Sequence, residues 1–173
     1  DNYTCSPYYH VGDPFVTEVA NYEVSLTLPE KFIVASSGNL KDTSAGEGSV
    51  TYKYQAQAVR DFAMVLSDKF QKLSQTVGDT QINYYYYNDQ NSEESLANAV
   101  GSFEFFNKNV GKYPYEQYTV CETDFCYGGM EYPNLVMITS GSQSYQEAVV
   151  HETAHQWFYG VVGNDQIADA WMD

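Results

Sequence analysis

The sequence predicts an α+β fold, a β-rich first half followed by a half that mixes helices and strands. Three observations carry this. Tyr22, Val24, Leu26 and Leu28 alternate with Glu23, Ser25 and Thr27, the period-2 pattern of a half-buried strand. Near residue 90 the period changes, and Leu96, Val100, Phe103, Phe106 and Val110 recur at helical spacing. Beyond that helix, two strand-like runs precede a second helical run.

Taken in order, Pro29 ends the first strand and residues 31–35 form the next. Residues 36–48, rich in Gly and Ser, read as a loop. Val50, Tyr52 and Tyr54 alternate with Thr51, Lys53 and Gln55, giving another strand, and 60–67 gives one more. Residues 80–87 contain four consecutive tyrosines, Tyr84 to Tyr87, which fit both faces of a strand better than a stacking surface. Asn91, with Glu94 three positions on, marks the start of the first helix, and Gly111 and Pro114 close it. Its aromatic stripe reads as core. Residues 118–125 and 134–139 read as strands joined by a glycine-containing link. Residues 144–160 read as a helix, opened by a capping box of Ser144 and Glu147. The change of organisation falls in the loops of 77–90, giving a β-rich portion at 1–80 and a mixed portion at 81–173. There is no internal repeat.

Composition narrows the function classes. The 173 residues are 43% apolar, so a packed core is expected. The formal charge is −15 with only 8 Lys and Arg, which argues against nucleic acid and anionic membrane surfaces as partners. An acidic surface suits solubility first, and cationic ligands such as a free peptide amino group second. No stretch reaches the roughly 18 apolar residues of a membrane span. There is no initiator Met or signal-peptide pattern, and the ends at Asp1 and Asp173 read as cuts in a longer protein. Three cysteines cannot all pair internally. If 117–125 is one extended strand, Cys121 and Cys126 lie roughly 17 Å apart, too far for a disulfide unless the chain turns after Asp124. Asn2-Tyr3-Thr4 fits a glycosylation sequon.

Two segments carry chemistry. In His151-Glu152-Thr153-Ala154-His155 the imidazoles are four residues apart, one helical turn, and can reach one zinc ion from one helix face. Glu152 follows the first of them and can take a proton from water activated by that ion. The alternative is a pair of surface histidines on an amphipathic helix. A zinc site needs a third protein ligand. The family with a third His six residues after the second is excluded, because Val161 stands there. His10, the remaining histidine, reads as a surface or strand-end residue, and Asp165, Asp169 and Asp173 are all conceivable ligands. The second segment is Gly128-Gly129-Met130-Glu131-Tyr132-Pro133. Its glycines let backbone run close to a ligand, and Glu131 can meet a positive charge there. A tight turn before an edge strand would explain the same residues.

Together, Gly-Gly-Met-Glu-Tyr-Pro and His-Glu-Thr-Ala-His-Gln-Trp-Phe resemble the M1 family of zinc aminopeptidases, in the family's order and spacing. Asp13-Pro14, the run from Tyr22 to Pro29, Arg60-Asp61-Phe62-Ala63, Lys112-Tyr113-Pro114-Tyr115 and Trp171-Met172-Asp173 extend the resemblance along most of the chain. It implies the end of a saddle-like β-domain followed by the start of a thermolysin-like catalytic domain. It implies zinc held by His151 and His155, Glu152 as general base, Glu131 on the free α-amino group of a peptide, and Gly128, Gly129 and Met130 along the peptide backbone. The family's third ligand is a Glu 19 residues after the second His, position 174, one beyond Asp173. Its transition-state tyrosine lies further on. The 173-residue chain is therefore expected to hold an incomplete site and to be nearly inactive, with apolar surface around Trp157 and Trp171 favouring self-association. A non-catalytic binding module and a thermolysin-type endopeptidase are the other readings.

Overall fold

The computed structural model describes residues 15–173. Asn2-Tyr3-Thr4, Cys5, His10 and Asp13-Pro14 lie outside the described residues. The chain is α+β, as expected, with two small sheets followed by a larger mixed one.

Strand β1 (Ala20–Pro29) pairs antiparallel with β4 (Ser49–Val59), which pairs antiparallel with β3 (Asn39–Gly46). Strand β2 (Ile33–Ser36) pairs antiparallel with β5 (Met64–Ser67). The larger sheet has the order β6-β7-β8-β10-β9. Its members are β6 (Gln71–Val77), β7 (Thr80–Tyr86), β8 (Gln117–Thr123), β9 (Gly129–Met130) and β10 (Leu135–Thr139). Strands β7, β8 and β10 run parallel, with an antiparallel strand at each edge. Helix α1 (Ser92–Asn109) connects β7 to β8, and α2 (Tyr145–Ala154) follows β10.

The main core lies between this sheet and the two helices. Ile82, Tyr84, Tyr118, Val120, Val136 and Ile138 of the strands meet Ala99, Val100 and Phe103 of α1 and Val149 of α2. On the opposite face Cys121 and Leu135 pack with Ala35, Ala63 and Phe70. All seven residues of β8 are buried, as a central parallel strand covered on both faces requires. The tyrosine run divides as its alternation predicts. Tyr84 stacks with Tyr86 at 5.4 Å, while Tyr85 and Tyr87 meet Phe70 on the other side.

Several local expectations are corrected. Residues 36–48 are not all loop: they contain β3, an edge strand with seven of its eight residues exposed. An edge strand solvated on both faces needs no hydrophobic alternation, so its composition resembles a loop. The turn into β4 uses Gly48 at φ +65°. Strand β6 is a mostly polar edge too, with only Leu73 and Val77 partly buried. It belongs to the sheet of the second half, so the change of sheet falls between Ser67 and Gln71. Residues 60–63 are irregular, because Asp61 Oδ1 accepts from Phe62 N–H at 2.7 Å and Ser37 Oγ from Ala63 N–H at 3.1 Å. Neither capping box forms. Asn91 and Ser144 lie at φ −113°, ψ 34° and φ −99°, ψ 28°, away from the β-region backbone such a cap uses. Asp89 takes over at α1, accepting from Asn91 N–H at 2.8 Å and from the hydroxyls of Ser95 and Tyr84 at 2.6 Å. Cys121 is buried and Cys126 exposed, both as free thiols. No described helix is long and apolar enough to cross a membrane.

Candidate metal centre

Helix α2 ends earlier than expected, at Ala154, with His155 as its cap. Beyond it the chain widens: Gly160 N–H bonds to His155 O at 2.9 Å and Val162 N–H to Trp157 O at 3.0 Å, both spanning five residues. Tyr159 breaks the helix. It adopts φ +113°, ψ −70°, outside the region open to residues with a Cβ, at a cost of roughly 1–3 kcal/mol. Its ring is fully buried under the Arg60 guanidinium, 4.7 Å from the ring centre. Trp157 is buried too, against Phe103, Phe106 and Tyr113, with Nε1 donating to Gly111 O at 2.7 Å. The expectation of apolar surface around Trp157 is thus corrected, since α1 supplies its cover; Trp171 is 81% exposed.

The last turn of α2 gathers the predicted residues. The rings of His151 and His155 meet edge to face, centroids 4.8 Å apart, with Nε2 to Nε2 at 3.2 Å. Two nitrogens bound to one tetrahedral zinc are about 3.3 Å apart, so the imidazoles already have the separation one ion demands. A carboxylate oxygen of Glu152 lies within 4.8 Å of one nitrogen of each ring. The same limit holds for the cluster of Glu131, His155 and Asp173. The donor set, two imidazoles with carboxylates, suits zinc.

The outer nitrogen of His155 is held as well. Nδ1 lies 3.1 Å from Phe158 O and 3.4 Å from Asp173 Oδ1. Donation from Nδ1 would leave the Nε2 lone pair available to a metal. Burial alone would lower the His155 pKa. The hydrogen bond to Asp173 and the charges of Glu131 and Glu152 outweigh it and push the value up to about 9. Burial, then the neighbouring His155, lowers that of His151.

Strand β9 and the residues after it face this turn. Glu152 is 6% exposed and packs on Gly129. A Cβ at Gly129 would overlap Glu152 Oε1 and stand 2.7 Å and 2.8 Å from its Cδ and Cγ. A Cβ at Gly128 would meet nothing within 4 Å, so close approach explains only the second glycine. Met130 is buried and pairs with Met137 across the β9–β10 ladder. Glu131 leaves the strand toward His155 and Asp173.

Sequence reasoning missed the supports. Gln156, 1% exposed, bolts α2 to the segment after Glu131. Its Oε1 accepts from Asn134 N–H at 2.7 Å and lies 3.1 Å from the Tyr113 hydroxyl, and its Nε2 donates to Tyr132 O at 3.3 Å. Asn134, at φ +65°, is a residue type that tolerates such a turn. Glu122, 1% exposed, accepts backbone N–H bonds from Tyr87, Asn88 and Asp89 at 2.8 to 3.1 Å and the Ser140 hydroxyl at 2.7 Å. A Glu at the end of an otherwise buried strand was the signal available. Of the aspartates, Asp173 is the one brought to the imidazoles.

No family model matches the chain. Among curated proteins it is similar to leucine aminopeptidase 2-1 of Meyerozyma guilliermondii, 36% identical over 70 residues, covering 37% of this chain and 11% of that protein. It is also similar to leucine aminopeptidase 2 of Candida albicans, 32% identical over 87 residues, 47% of this chain and 14% of that protein. The chain thus spans a small part of the curated relatives it matches. Among solved structures it superposes on a mutant two-domain M1 zinc metallopeptidase bound to L-arginine, with TM-score 0.72 and 18% identity over 91% of this chain and 38% of the other. A mutant M1 zinc metallopeptidase from Deinococcus radiodurans gives TM-score 0.70 and 20% identity at the same coverage. The fold of this chain is the fold of the corresponding part of M1 zinc metallopeptidases.

Proposed function

We propose that this chain carries the first part of the active site of an M1-type zinc aminopeptidase, which removes N-terminal residues from peptides. The observation that supports this best is the proximity of Glu131 to the imidazole pair, its carboxylate within 4.8 Å of a His155 ring nitrogen. A substrate amino group held by Glu131, so close to the imidazoles, would bring the first peptide bond to the metal, as an exopeptidase requires.

His151 and His155 would hold the metal, through Nε2 in each case. Zinc, when bound, supplies the Lewis acid that polarises the scissile carbonyl and makes water acidic enough to attack it. Glu152 accepts the proton of the attacking water. The water oxygen bonds to the carbonyl carbon, the C–N bond breaks, and the proton passes from Glu152 to the departing amine. Glu131 holds the free ammonium by charge-assisted hydrogen bonds. Gly128, Gly129 and Met130 would run along the peptide backbone, with β9 as an edge strand of its sheet. By the resemblance, the third ligand belongs at position 174, so the 173-residue chain, assayed as such, is proposed to turn over little substrate.

The test compares free-amine and N-acetylated peptides with the zinc-supplemented protein extended past position 174. Glu131→Ala is expected to cut hydrolysis of the free-amine peptide and to erase the preference for it. An unchanged preference would sink the exopeptidase assignment and favour an endopeptidase. An extended protein that binds no zinc would favour a non-catalytic module.

A further inference from the structure

Arg60 is the only arginine of the chain, and it is buried, 3% exposed, in a protein of net charge −15. A guanidinium is always charged and is rarely buried without a carboxylate partner. Among the described residues the ion pairs involve Lys31, Lys41, Lys53, Lys112 and His155, but not Arg60. The guanidinium is spent on the chain that leaves the metal helix. Nη1 donates to Tyr159 O at 3.3 Å, Nη2 donates to Asn164 O at 2.8 Å, and the plane covers the Tyr159 ring at 4.7 Å.

Two of these three contacts act on one residue, Tyr159, whose backbone at φ +113° needs outside support. The preceding carbonyl, Phe158 O, is the one 3.1 Å from His155 Nδ1. Arg60 holds Tyr159, Tyr159 sets the direction of the Phe158 carbonyl, and that carbonyl shares with Asp173 the hold on the ring of His155. We infer that Arg60, reaching across from the β-rich half, is a positioning residue that sets the orientation of His155 for the metal. The inference rests on the reading of His151 and His155 as zinc ligands. It adds a support outside the helix that carries them, and it ties metal affinity to the junction between the two halves. Outer contacts of this kind change metal affinity by about 10–100-fold when lost.

The test uses the full 173-residue chain and three variants: Arg60→Met, Arg60→Lys, and Phe70→Leu as a control that loosens the buried cluster below the sheet. In the metal-free chain, the His155 ring signals in nuclear magnetic resonance are expected to move in Arg60→Met. They should move less in Arg60→Lys, which keeps one donor, and stay in place in Phe70→Leu. Zinc affinity, measured by chelator competition, should fall about 10–100-fold in Arg60→Met and stay within about twofold in the control. Unmoved His155 signals in Arg60→Met overturn the inference, as does an equal change in Phe70→Leu at matched thermal stability. If Arg60→Met does not fold, the Arg60→Lys signals decide. If the unmodified chain binds no zinc, the metal reading fails at this chain, and the His155 signals alone judge the positioning.

Discussion

Two buried glutamates close off the same end of the sheet, and they are buried for different reasons. Glu122, at the end of β8, is enclosed by donors: three backbone N–H groups of 87–89 on one oxygen and the Ser140 hydroxyl on the other. It nails the start of the α1 connection to the sheet. Glu152, on α2, rests its side chain on the Cα of Gly129, beside two imidazoles whose Nε2 atoms stand 3.2 Å apart. Their exposure is 1% and 6%, so burial does not separate them. The neighbours do: backbone donors surround the Glu122 carboxylate and hold the fold, whereas Glu152 packs on a glycine beside the two imidazoles, where the proposed function would have it carry protons.

The largest expected effect breaks the second half of that contrast. Glu152→Gln in the zinc-loaded, extended enzyme should lower hydrolysis of a free-amine peptide by about 10²–10⁴-fold, the usual worth of a general base. Its unfolding free energy in urea should stay within about 1 kcal/mol of the parent. A stability loss as large as the one expected at Glu122 would erase the distinction.

Glu122→Gln tests the first half. The amide keeps one acceptor but turns a donor toward donors, so unfolding in urea should lose about 2–4 kcal/mol. Zinc binding by the folded fraction should be unaffected. A loss under about 0.5 kcal/mol would mean the three N–H groups find water as readily as the carboxylate.

The sequence drew attention to Glu152 and hid Glu122. His151, Glu152 and His155 were legible because metal chemistry demands those residue types at that spacing. Glu131 was legible through its glycine-rich neighbourhood. The strands with one wet face, β1 and the start of β4, showed their alternation. Strands β3 and β6 did not: β3 is exposed along nearly its whole length, and β6 is an edge whose only partly buried residues are Leu73 and Val77. The helix stop at Ala154 was illegible because Tyr159, a residue with no turn preference, breaks the helix through contacts with Arg60, 99 positions away. Gln156 was overlooked for a related reason: its three partners come from 113–134, and no local pattern announces a bolt between distant segments.

Gln156→Ala ranks next. It leaves the Asn134 N–H without its acceptor in a dry site, so a stability loss of about 1.5–3 kcal/mol is expected. Hydrogen exchange at Asn134 should quicken more than at β8. Equal quickening at both would show that the loss is global rather than a loosening between α2 and the Glu131 segment.

The smallest expected effect is the sharpest probe of the contrast. Gly129 has no positive φ, so alanine suits its backbone, and the substitution lowers unfolded-state entropy by about 0.4–1 kcal/mol in favour of folding. Against this, the added methyl takes the space of the Glu152 tip. If that tip can turn aside, it swings toward the imidazoles at little cost, stability changes by less than about 1 kcal/mol, and the ring signals of His151 and His155 shift. A loss well above that would show the carboxylate fixed to β9 as firmly as Glu122 is fixed by its four donors. The side chain proposed to move protons would then be one that cannot move.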